Sequence, residues 1–203
     1  MIRASVAAVA TVAAIVVASA SAVESTIYPG IGIGKVKLGM TKAQVERILG
    51  TEGLVDERGV VGGHAYLQVG WDYDSWTVGF LLQSGHYHAV RVGTTQYRQR
   101  TVVGVGPAAP WLKVVKAYPH GICTFGVTDK GAWVLEYLVP GKPRTQLLFT
   151  FRAVPPNVAF PDTFVVVEVV VRSRYQTWPE FAPNYEHRCR EGWRSTKLPT
   201  AIH

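Results

Sequence analysis

The stretch "PGIGIGKVKLGMTKAQVERILG", residues 29–50, decides how the first half of this chain is read. Glycines precede a lysine and a helix-like run, so two phosphate-binding patterns must be tested against it. A loop of the G-x-x-x-x-G-K-[ST] kind needs glycine at position 29 and a hydroxyl after the lysine. Pro29 and Val36 stand there instead. The dinucleotide pattern G-x-G-x-x-G also fails, because Lys35 and Lys37 occupy its third glycine in the two available frames. What the stretch does specify is a helix. Thr41 and Gln44 have capping-box spacing, and Met40 and Val45 stand where a hydrophobic staple forms. Val45, Ile48 and Leu49 make an apolar i, i+3, i+4 face, and Gly50 can close the helix in the left-handed conformation. A short amphipathic helix over 41–49 is expected, with glycines as its lead-in and no nucleotide or other cofactor.

Outward from that helix the pattern changes to period two. "HAYLQVGWDY", "SWTVGFLLQ" and "YHAVRVGTT" are rich in β-branched and aromatic residues, and "DYDS" and "QSGH" between them are hairpin turns. The second half runs in the same order. "VVGVGPAAPWLKVVKAYP" parallels the opening stretch, with Gly106 in the place of Gly39. Trp111, Val114, Val115 and Tyr118 form a helical stripe between Pro110 and Pro119. Strands follow at "CTFGVT", "AWVLEYLV", "TQLLFTFRA" and "TFVVVEVVV". The expected fold is α+β: two tandem repeats over 28–100 and 101–173, each a short N-terminal helix followed by an antiparallel β-meander, with the helices packed on one sheet face. Two unrelated helix-plus-meander stretches are the alternative.

The ends of the chain point to export. "MIR" is a short basic start, an Ala- and Val-rich run follows, and "ASASA" offers cleavage after Ala20 or Ala22. Residues 1–22 therefore read as a secretory signal, with an uncleaved anchor helix as the alternative. No cysteine stands near the cleavage point, so lipid attachment there is excluded, and the mature chain carries no transmembrane segment. In an oxidising compartment, two cysteines favour one disulfide, Cys123–Cys189. It would close a loop of about 66 residues and stabilise by about 4 kcal/mol in the chain-entropy model. The rival is a thiol nucleophile at Cys123, with His120 three residues before it. Residues 174–203 form an aromatic, basic tail that the disulfide would pin to the second half. A chain of 203 residues that is 48% hydrophobic, with mean hydropathy +0.12, has material for a core. Its net charge of +7 suits anionic partners, but the positives are scattered and no basic run marks nucleic acid.

"IGKVKLGMTKAQVERILG" resembles the repeat opening of β-lactamase inhibitory proteins and of related small envelope lipoproteins of the outer-membrane assembly type. The resemblance rests on Gly39, Met40, Thr41, Val45, Leu49 and Gly50. It implies two helix-plus-sheet repeats forming a concave sheet surface. It also implies that Asp72-Tyr73, with Asp74 beside them, occupy the position of an Asp-Tyr hairpin that enters a target enzyme. The chain departs from the family in two respects. Its first half has no cysteine, and Pro107-Ala108 replace Met-Thr in the second.

Other chemistry has thinner support. His86 and His88 share a strand face that His64 could join as a metal site, but no carboxylate adjoins them. Asp72, Asp74, Glu136, Asp162 and Glu168 could supply a pair of carboxylates, though no spacing singles out two. No Gly-x-Ser-x-Gly is present. The expectation is a secreted, monomeric, non-catalytic protein-binding module of inhibitor type, with a secreted or envelope protein as partner. Its contact residues would be Trp71, Asp72, Tyr73, Asp74, Trp76, Trp133 and Tyr137, on the hairpin and the sheet face away from the helices. The alternative is an envelope-associated structural protein held to anionic wall polymer by charge.

Overall fold

A computed structural model describes residues 26–73, 75–127, 133–141, 144–153 and 164–173. Three short strands come first: β1 (Thr26–Tyr28), β2 (Gly32–Ile33) and β3 (Val36–Lys37). Helix α1 (Lys42–Leu49) leads into β4 (Leu54–Val61), β5 (His64–Trp71), β6 (Trp76–Gln83) and β7 (His86–Thr94). After β8 (Arg100–Thr101), helix α2 (Trp111–Ala117) precedes β9 (Ile122–Val127), β10 (Trp133–Pro140), β11 (Thr145–Ala153) and β12 (Phe164–Ser173).

The strands form two sheets. One has eight strands in the order β4-β5-β6-β7-β12-β11-β10-β9, and every adjacent pair is antiparallel. The other has four, in the order β3-β2-β1-β8, with β1 and β8 parallel. Two of the hairpins close with two residues at positive φ, Gly62-Gly63 and Ser84-Gly85, whose backbone twist matches that of the flanking strands.

The chain is therefore mostly β, and the expected α+β architecture of tandem repeats with helices packed on the sheet does not hold. The helices have eight and seven residues. Val45 is the buried residue of α1, and Trp111 and Val114 those of α2. Much of the covering layer comes from the small sheet, whose Ile27, Ile33 and Val36 are fully buried against the large one. Both halves of the chain contribute to that small sheet, β1–β3 from the first and β8 from beyond β7, so the halves are not self-contained units. The expected capping box at α1 is present: Thr41 Oγ1 accepts from the Gln44 backbone N–H, and the Gln44 side chain accepts from the Thr41 N–H at 2.8 Å. Gly50 ends the helix, but at φ +99° and ψ 166°, a glycine conformation other than the left-handed helical one expected. Those signals fix where a helix starts and stops. They do not show whether helices or a second sheet will cover the core.

The two central strands meet over four residue pairs, Arg91–Thr94 with Val169–Arg172. Each strand uses its remaining free edge in the same manner. Gly39 N–H donates to the Ala89 carbonyl at 2.7 Å, and Ala89 N–H to Met40 at 2.8 Å. On β12, Ala108 N–H donates to Val166 at 2.7 Å, and Val166 N–H to Ala109 at 2.9 Å. The lead-in to each helix is thereby tied to the sheet.

Candidate functional site

The β5–β6 hairpin ends in the register pair Trp71 and Trp76, both almost fully buried. Trp71 donates its indole N–H to the Gly50 carbonyl at 2.9 Å and meets Phe80 edge-on at 6.5 Å. Beyond this anchor, Asp72 and Tyr73 both sit at φ +51°. That region costs a non-glycine residue about 1–2 kcal/mol, so something must hold the turn. Ser75 N–H donates to the Asp72 carbonyl at 3.0 Å. The Ser75 carbonyl accepts from Thr94 Oγ1 at 3.0 Å and from Thr95 N–H at 3.1 Å. Gln96 Nε2 reaches Asp72 Oδ2 at 3.4 Å. The braced turn leaves Tyr73 101% exposed. Next to Gln96, Tyr97 is also exposed, with the Arg98 guanidinium 5.5 Å above its ring and Nε donating to its hydroxyl at 3.0 Å. Two phenol rings, a carboxylate and a guanidinium thus stand on neighbouring loops.

The other expected contact residues lie elsewhere. Trp71, Trp76 and Tyr137 belong to the core and cannot form a binding face. The Tyr137 hydroxyl donates to the Tyr118 carbonyl and accepts from Gly121 N–H at 3.1 Å, while Trp111 packs edge-on against the ring at 5.4 Å. Burial raises the hydroxyl pKa of both Tyr118 and Tyr137, and hydrogen bonds involving Thr101 and Gly121 respectively offset part of this. Strand alternation shows which residues share a face, not which face is packed, so it does not place these side chains outside the core. Asp74 lies outside the described residues, as does the side chain of Trp133. Cys123 is registered opposite Tyr137 on β9, and Cys189 lies outside the described residues, so the disulfide does too. The same holds for the signal, for the tail and for Asp162.

His88 Nδ1 lies 3.0 Å from the Gly39 carbonyl, a contact that serves the α1 lead-in. Among the described residues, no three His, Cys, Asp or Glu side chains group as a metal site. Glu168 is held on the sheet face opposite the main core by Thr77 Oγ1 at 3.1 Å and by Arg91. Arg91 in turn donates to Gln68, which accepts from the Tyr66 hydroxyl at 3.0 Å. Nothing in the sequence joined these residues, which lie on four different strands. Among the described residues, no helix is long and apolar enough to cross a membrane. No family model, curated protein or solved structure matches the chain.

Proposed function

We propose that this chain is a non-catalytic, inhibitor-like protein-binding module whose primary contact is the Asp72-Tyr73 hairpin tip. The carrying observation is the full exposure of Tyr73 on a strained turn braced by the neighbouring 94–96 segment. Backbone strain kept at a rigid tip is characteristic of binding sites, and a tyrosine offers large contact area with few rotors to freeze. A protruding ring of this kind fits a concave site on the partner. Asp72 beside it supplies a fixed acceptor, and Tyr97 with Arg98 extends the contact. The short resemblance to β-lactamase inhibitory proteins supports the same location. The carboxylate of Glu168 is engaged by Arg91 and Thr77, which fits a structural role better than proton transfer.

Immobilised mature protein is exposed to secreted proteins of the producing cells, in parallel with Tyr73→Ala and with a panel of β-lactamases. A stoichiometric partner retained about 30-fold more weakly by the variant supports the reading, as expected for a central aromatic anchor worth about 2 kcal/mol. Equal retention by both proteins overturns the hairpin as the site. No partner together with no inhibition overturns the function.

A further inference from the structure

We infer that one end of the small sheet is a docking surface for an anionic lipid membrane. Strands β1 and β8 are parallel, with Ile27 opposite Thr101, so the turns that follow them leave the sheet at the same end. The first turn presents Ile31, 49% exposed, and the second presents Val102 and Val103, 76% and 52% exposed. Both turns are tied by backbone bonds: Ile31 N–H to Tyr28 at 3.0 Å, Leu38 N–H to Ile31 at 2.8 Å, and Gly104 N–H to Thr101 at 2.8 Å. Three aliphatic side chains are therefore held outward at adjacent rigid turns while Ile27, Ile33 and Val36 of the same sheet fill the core.

Cations flank this apolar end. Strand β3 also runs toward it and finishes at Lys37, whose ammonium lies 6.0 Å above the Tyr28 ring. On the β8 side, the Lys113 ammonium comes close to Gly104. The sequence has no Asp or Glu between residues 26 and 45 or between 75 and 127, so every strand and turn of this sheet is free of carboxylates. No ion pair among the described residues engages Lys37 or Lys113. Exposed aliphatic tips flanked by two lysines, with an aromatic at the boundary, suit an interface with acyl chains below and phosphate headgroups above. A soluble polyanion would use the lysines and leave the valines idle. The hairpin tip of Tyr73 is braced from the 95–99 loop, which enters β8 at its opposite end, so the two surfaces are distinct.

The test is flotation of the mature protein with vesicles of pure phosphatidylcholine or with about a third phosphatidylglycerol. Three proteins are compared: wild type, Lys37→Ala/Lys113→Ala and Val102→Ser/Val103→Ser. All four positions point outward, and thermal melts check that the variants stay folded. Wild type is expected to float with the anionic vesicles alone and to be released by salt near 0.5 M, where screening confines charge effects to a few Å. Removing two lysines should weaken binding about 30-fold, at about 1 kcal/mol per cation. The valine pair should weaken it at unchanged charge. Failure to bind, or binding insensitive to either pair, overturns the inference. So does binding to inorganic polyphosphate that depends on the lysines but not the valines, which would identify a soluble polyanion. Tyr73→Ala should float like wild type, so this test is independent of the hairpin's function.

Discussion

Arg91 on β7 places its guanidinium 3.3 Å from the carboxylate of Glu168 on β12, with both side chains mostly buried at 16% and 20% exposure. This pair spans the seam where two four-stranded meanders join through only four residue pairs. Glu168 also accepts from Thr77 on β6, and Arg91 donates to Gln68 on β5, so four strands are linked on one face. Deleting one partner of a buried pair leaves the other charge uncompensated. Glu168→Ala should therefore destabilise by about 2–3 kcal/mol, lowering the melting temperature by about 5–10 °C. Urea denaturation checks this. A loss under 0.5 kcal/mol would show that the seam does not depend on the pair.

Gly93 shares this face. A Cβ there would lie 2.4 Å from Thr77 Oγ1 and 2.6 Å from Glu168 Oε1. Gly93→Ala must push those two groups apart, so a loss of about 1–3 kcal/mol is expected. If the clash is the cause, a double-mutant cycle of Gly93→Ala with Thr77→Ala should be non-additive.

Tyr73 at φ +51° should trade stability against binding. Tyr73→Gly relieves left-handed strain of about 1 kcal/mol while removing the exposed ring. The variant should melt within about 2 °C of wild type, because the entropy glycine adds to the unfolded chain offsets most of that relief. Partner retention should fall as it does for Tyr73→Ala.

Tyr118 and Tyr137 set an alkaline limit. Burial raises both phenol pKa values above the ordinary 10.0. The folded state then holds these protons more tightly than the unfolded state. Their stabilising contribution is present in full below pH 10 and is lost as pH rises from there through the folded-state values. Melts from pH 8 to 11 should be flat and then fall, with tyrosinate absorbance lagging behind that of free tyrosine. Tyr137→Phe should blunt the lag. It should also cost about 1–2 kcal/mol at neutral pH, because the Gly121 N–H and the Tyr118 carbonyl each lose a bond and keep only each other at 3.3 Å.

Short-range features were legible because their causes are local. Thr41, Gln44 and Gly50 specify the ends of α1 within ten residues, and the "QSGH" turn has the glycine its φ demands. Gly62-Gly63 carries the same kind of signal for a hairpin. Strand β4 is not among the expected strands, because Asp56, Glu57 and Arg58 break the apolar pattern at an exposed sheet edge. Strands β1–β3 were equally hidden, because two- and three-residue strands leave no periodicity to detect.

The sequence by itself determined the start and end of α1, most of the long strands, the failure of both phosphate motifs and the Asp-Tyr turn. Each rests on contacts within a few residues, where backbone sterics and hydrogen-bond reach decide the outcome. The tertiary structure alone decided which sheet face became core, and so moved Trp71, Trp76 and Tyr137 from the surface to the interior. It also paired Arg91 with Glu168 across 77 positions and brought Lys37 and Lys113 to one end of a small sheet with Ile31, Val102 and Val103. A strand's alternation is symmetric between its two faces. Only the packing of distant segments breaks that symmetry and assigns inside and outside.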